Sequence, residues 1–268
     1  MRIYRNFLVS INQHFYLPYP LPDLLAFLTF LHRKGLACST IRTYLSALSY
    51  YNKLKGGIDA TKFFAVQQLL TGLGNLASPQ RKRLPLYPSH IKTLISALYC
   101  SAYPSYSIAL FAAMLSLGFA LALRIGEMTK SRHNLALEDI SLHDSYCVVS
   151  FTSYKHSKAS YPMVHVIKSS ALEICPIPFL RHYLTLRGTS PGPFFLLHMA
   201  AVPRKTFSDV FKHLISLSGF KGYFSPHSLR IGAATYWSQS GLSDSQIRQR
   251  GRWRSDAFKS YIRGVITH

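Results

Sequence analysis

Apolar residues recur at helical spacing along most of this chain, and one short region is instead rich in β-branched and aromatic residues. Leu24, Leu25, Phe27, Leu28 and Leu31 repeat at three- and four-residue intervals until Gly35, which predicts a helix ending there. Ser39-Thr40-Ile41-Arg42 supplies an N-cap for a second run that places Tyr44, Leu45, Leu48 and Tyr51 on one face. The apolar segment from Phe63 to Leu76, interrupted by Gly72 and Gly74, predicts a third helix. No strand-like alternation precedes residue 84, so the first third reads as all-helical.

Ser78-Pro79-Gln80-Arg81-Lys82-Arg83-Leu84-Pro85 breaks the pattern with two prolines and three consecutive cations, which suits an exposed linker over 81–88. A solvated surface loop explains the charge run equally well. The linker divides a helical domain, 1–80, from a second domain, 89–268. Within the second, Ile91–Tyr99 and Ile108–Met128 are predicted helices. Residues 146–152 and 161–167 are β-branched and aromatic, and the polar stretch Tyr154–Ser160 between them predicts a hairpin. Helical periodicity returns over 207–218, 227–240, 243–250 and 255–263. The expected fold class is mainly α with a small β-sheet, an α+β arrangement.

Charge narrows the partners. Lys and Arg number 31 against 10 Asp and Glu, a formal net charge of +21. So basic a surface repels itself unless an anion offsets it, and nucleic acid is the commonest such partner. A membrane surface fits less well, because no Lys/Arg-rich amphipathic helix stands apart from the rest. Cys38, Cys100, Cys147 and Cys175 form no CxxC and no short Cys/His spacing, which argues against a disulfide framework or a structural zinc site. The apolar run from Ile108 to Leu123 is shorter than the roughly 20 residues a bilayer span takes. A soluble, intracellular protein is expected.

The chemistry available is that of cations and hydroxyls. There is no Gly-rich phosphate loop and no HExxH, and the few acidic residues leave little for a two-metal nuclease. Four local signals remain. Arg124, in Ala122-Leu123-Arg124-Ile125-Gly126-Glu127, ends an apolar helix; it needs a fixed partner if buried, and pairing with Glu127 or snorkelling is the bland alternative. His227 and Arg230, in Pro226-His227-Ser228-Leu229-Arg230, stand three apart at a helix start, where a phosphate oxygen is well placed. A surface His/Arg pair would look the same. Gly251-Arg252-Trp253-Arg254 holds one of two tryptophans, which alone suggests core packing. Tyr261 is one tyrosine among 17.

Taken in order, an Arg, a hairpin Lys, His-x-x-Arg, Trp and Tyr resemble the active site of the tyrosine recombinase (phage integrase) family. The resemblance covers essentially the whole chain, and Ser39–Leu48 resembles part of the family's core-binding domain. Gly251-Arg252-Trp253 and Asp256–Tyr261 are similar to recombinases of eukaryotic DIRS-type retrotransposons. The resemblance implies a helical core-binding domain followed by a catalytic domain, closing on double-stranded DNA as two lobes of a clamp. It also implies a homo-oligomer, a tetramer on two duplexes, and a nuclear location in a eukaryotic host. By position, Arg124 and Arg230 would clamp the scissile phosphate and Tyr261 would attack it to form a 3′-phosphotyrosine. His227 would serve as acid or base, Lys158 would protonate the leaving 5′-oxygen, and Trp253 would pack beside the phosphate. Lys155 is the other candidate for the lysine, and Glu127 would orient a cation. Neither ATP nor metal would be required. A type IB topoisomerase-like enzyme, a catalytically inactive DNA-binding protein from a mobile element and a basic RNA-binding module are the alternatives.

Overall fold

The computed structural model describes residues 1–76, 82–154, 162–169 and 174–263. The chain divides into two compact units, Met1–Arg81 and Lys82–His268. The first is all-helical: α1 (Arg2–Ser10), α2 (Leu21–Arg33), α3 (Cys38–Leu54) and α4 (Phe64–Leu76), with a short 3-10 turn at Ala60–Lys62. Its core joins Leu24, Phe27, Leu28 and Leu31 of α2 to Ile41, Leu45 and Leu48 of α3 and Val66, Leu70 and Leu73 of α4. Helix α1, which the periodicity analysis leaves out, adds Tyr4, Phe7 and Leu8 at helical spacing, and the Tyr4 ring meets Tyr19 and Phe27 edge-on.

The second unit is built around α6 (Ser105–Ala120). Every residue from Ala109 to Phe119 is buried, as expected for a helix apolar on all sides. It packs against α5 (Pro88–Tyr99), α8 (Pro176–Arg187) and α10 (His227–Gln239), while α9 (Arg204–Leu217) lies on α5. Beside them stands an antiparallel sheet in the order β1 (Ile140–Leu142), β2 (Tyr146–Phe151), β3 (Met163–Lys168). The predicted hairpin is its β2–β3 pair, in register from Tyr146 opposite Lys168 to Phe151 opposite Met163. A two-residue pair, β4 (Leu196–Leu197) with β5 (Ala200–Ala201), completes the strands of the described residues. The chain thus has the predicted mainly helical fold with a small sheet. Among the described residues no helix is long and apolar enough to cross a membrane.

Several boundaries differ from expectation. Ile108–Met128 is two helices: α6 stops at Ala120, and α7 (Ile125–Met128) begins after a turn. The expected helix over 255–263 is a 3-10 turn, Asp256–Ser260, that halts at Tyr261. Helix α8 escapes the periodicity reading because Pro176-Ile177-Pro178 looks like a break, yet prolines in a first turn remove only N–H groups that lack helical partners anyway. The stretch expected as an exposed linker keeps Lys82 and Arg83 exposed, but from Leu84 onward it belongs to the second unit. Leu84 N–H donates to Tyr223 O and Leu86 N–H to Ser228 O, and Leu86 is fully buried.

Candidate active site

Two helix ends of the second unit build the site in the same way. At the end of α6, Leu123 N–H reaches back to Gly118 O (2.8 Å) and Ala122 N–H to Phe119 O (3.0 Å), with Ala122 in the left-handed region at φ 46°. At the end of α11 (Asp244–Arg250), Trp253 N–H reaches Arg248 O (3.0 Å) and Arg252 N–H reaches Gln249 O (3.1 Å), with Arg252 at φ 56°. Both are Schellman caps with a side-chain-bearing residue where glycine is usual. The first turns the chain so that Arg124 leaves the axis of α6 and becomes the N-cap of α7.

Two guanidinium groups meet one carboxylate there, and a third lies beside them on backbone carbonyls. Glu127 is 1% exposed; its Oε2 accepts from Arg124 N–H (2.8 Å) and Arg252 Nη2 (2.9 Å), and its Oε1 accepts from Arg124 Nη1 (3.1 Å). Burial alone would raise this carboxyl, but Arg252 and Arg124 hold it below the usual carboxylate range. Arg230, 1% exposed, donates through Nη1 to Ala122 O and through Nη2 to Gly251 O (2.6 Å), and its guanidinium lies 4.1 Å from the Trp253 ring centre. Burial, with Arg124 and Arg252 beside it, pulls Arg230 down to about 9, so it stays charged at neutral pH. Each terminal nitrogen of Arg230 carries a second N–H beyond the one it gives to a carbonyl.

His227 opens α10, and its ring meets Tyr261 edge-on with centroids 5.0 Å apart. Burial first, then Arg230, Arg83 and Arg124, lowers its pKa to about 4, so the imidazole is neutral at pH 7. Tyr261 follows the 3-10 turn, its backbone held by a bond to Phe258 O (2.8 Å) and by Thr235 Oγ1, which donates to Tyr261 O (3.0 Å). The Trp253 ring lies 5.8 Å from the Tyr261 ring. A cavity of about 760 Å³ is lined by Arg124, His227, Arg230, Trp253 and Tyr261, together with the exposed Arg132, Arg204 and Arg254.

Five of the six residues singled out in the sequence therefore line one cavity. The sixth, Lys158, and its competitor Lys155 lie outside the described residues. Glu127 pairs with two arginines, where the sequence pointed to a single cation. Sequence reasoning assigned no part to Arg252, a buried arginine in the cavity wall, or to Thr235, which anchors Tyr261; neither carries a distinguishing local pattern. Among the described residues no three His, Cys, Asp or Glu side chains are grouped to hold a metal ion.

No family profile matches the sequence, and no curated protein matches it. Solved structures do. XerA recombinase matches with a TM-score of 0.53 at 19% identity, over 99% of this chain and 87% of that one. The Tn1549 transposon integrase in complex with transposon right-end DNA matches with a TM-score of 0.67 at 14% identity, over 98% and 89%. A lambda integrase dimer bound to a core site matches with a TM-score of 0.59 at 18% identity, over 97% and 70%. At such identities the likeness is one of fold: the chain has the fold of tyrosine recombinases.

Proposed function

We propose that this protein is a site-specific DNA recombinase that breaks and rejoins strands through a covalent link to Tyr261. The observation that carries the reading is the cavity itself, in which a tyrosine stands against a neutral histidine beside two arginines. Arg124 and Arg230 would bind the non-bridging oxygens of the scissile phosphate, with Trp253 packed beside it. The Tyr261 hydroxyl would attack phosphorus and pass its proton to His227, whose basicity the anionic phosphate would raise by offsetting the neighbouring arginines. The bond from phosphorus to the 5′-oxygen would break, and Lys158 or Lys155 would protonate that oxygen. Attack by another strand's 5′-hydroxyl on the 3′-phosphotyrosine reverses the steps and frees the tyrosine. The phosphotyrosine conserves the bond energy, so no ATP enters this scheme.

The affiliation with DIRS-type elements rests on Gly251-Arg252-Trp253 and Asp256–Tyr261. Duplex DNA is the substrate, two duplexes being synapsed by a tetramer, in the nucleus of a eukaryotic host. The test uses nicked random-sequence duplexes incubated in chelator with wild type and with Tyr261→Phe. Wild type is expected to give a denaturant-resistant adduct mapping to Tyr261. The Phe variant is expected to bind DNA equally and give none, because it lacks the attacking oxygen. An adduct in the Phe variant, or one on another residue, refutes the proposal.

A further inference from the structure

Arg252 has features that a surface arginine beside a tryptophan does not need. It is 2% exposed and sits at a left-handed φ of 56° without being glycine. Such a conformation is strained for a residue that carries a Cβ and persists only where the surroundings over-determine it. Its guanidinium reaches across to the end of α6, donating from Nη1 to Leu121 O (3.1 Å) and from Nη2 to Glu127 (2.9 Å), and its central carbon lies over the Phe151 ring of β2, 3.9 Å from the centroid. Its own carbonyl accepts from Arg124 Nη2 (3.3 Å), and the preceding carbonyl, that of Gly251, accepts from Arg230. One residue thus touches both arginines of the candidate clamp, directly or through its neighbour, while its side chain fixes the carboxylate that orients Arg124.

Resting on the reading of the cavity as a phosphodiester site, we infer that Arg252 is a positioning residue. It sets the geometry of Arg124 and Arg230 from below and ties them to the segment that leads to Tyr261. It does so in two separable ways. The left-handed backbone turns the Gly251 and Arg252 carbonyls toward the arginines, and the guanidinium holds Glu127 and the end of α6. Glycine suits the backbone part and deletes the side-chain part. Lysine keeps a positive charge for Glu127 but cannot fork between Leu121 O and the carboxylate.

Arg252→Gly and Arg252→Lys are compared with wild type by thermal unfolding, by duplex affinity and by single-turnover adduct formation on nicked duplexes. Inorganic phosphate is also titrated while the indole N–H of Trp253 is followed by NMR. For Arg252→Gly the expected result is cooperative unfolding, DNA affinity within about twofold, and adduct formation slowed about a hundredfold, the scale of an ångström-sized misplacement. Millimolar guanidinium should restore part of the rate, as a merely structural role would not require. Arg252→Lys should lose at least about tenfold, and both variants should respond more weakly to phosphate. Wild-type rates in either folded variant overturn the inference, and so does failure of both to fold, which would make Arg252 a folding residue. Should wild type form no adduct, the recombinase reading falls. The phosphate titration still decides the positioning role, because an unaltered response in the variants overturns it.

Discussion

At the scale of single residues, the site gathers Arg124, Arg230 and Arg252 with a single carboxylate, Glu127, which pairs with Arg124 and Arg252, and two of the guanidinium groups lie under the surface. Buried charge is tolerated only when paired and hydrogen-bonded. Here the ends of α6 and α11 supply the balance: Leu121, Ala122, Arg250 and Gly251 carbonyls accept from Arg230 and Arg252 at the negative poles of two helices. Burial, reinforced by the same crowd of cations, keeps two histidines neutral. His165 of β3, edge-on to Phe151, is lowered to about 4 by burial, Arg252 and Arg250, and His227 is lowered to about 4 as well. Unfolded histidine titrates near 6.5, so between these values the unfolded chain binds more protons than the folded one. Stability is therefore fully present above about pH 6.5 and is lost as pH falls toward about 4. Urea midpoints should drop between about pH 7 and pH 5, and His165→Gln should flatten that drop. An equally acid-sensitive variant would show that His165 is not a source of it.

At the scale of elements, α10 is where the site meets the backbone of the second unit. Its residues from Ser228 to Thr235 are all buried, which demands small side chains wherever another segment crosses. Gly232 is such a point: a Cβ there would overlap the carbonyl oxygen of Leu86, whose N–H bonds to Ser228 on the same helix. The Leu86 backbone cannot move aside without losing that bond. Gly232→Ala is expected to destabilise the fold by about 3 kcal/mol, at the upper end for overpacking, read by chemical denaturation of the purified protein. It should also displace His227 and Arg230, which the helix carries, and slow adduct formation. A neutral Gly232→Ala would mean that the 84–86 segment is free to shift.

For the whole molecule the governing quantity is the net charge of +21, unmatched by any internal excess of acid. If duplex DNA is the partner, binding releases counterions, and log K should fall with log salt by about 0.9 for each phosphate neutralised. A slope several times that is expected, measured by duplex binding from low to moderate salt. Arg254→Ala, which removes one exposed cation of the cavity, should lower the slope by roughly one. Affinity that stays flat with salt would argue against phosphate contacts as the basis of binding.

The sequence by itself determined what depends on near neighbours. Helical period marked α2, α3 and α10, β-branched and aromatic runs around a polar stretch marked the β2–β3 pair, and the spacing of His227 and Arg230 placed both on one face at a helix start. Five cavity-lining residues were legible because their order along the chain resembles that of a family's active site. The tertiary structure alone decided where α6 ends, since a left-handed cap at Ala122 carries no glycine to announce it. The same is true of Arg252, which reads in sequence as one more cation beside Trp253. Its carboxylate, its helix-end carbonyl and its aromatic floor come from Glu127, Leu121 and Phe151, all more than a hundred residues away. Only packing α6, α7, α11 and β2 together creates them, because burial and the pairing it compels are properties of the assembled fold.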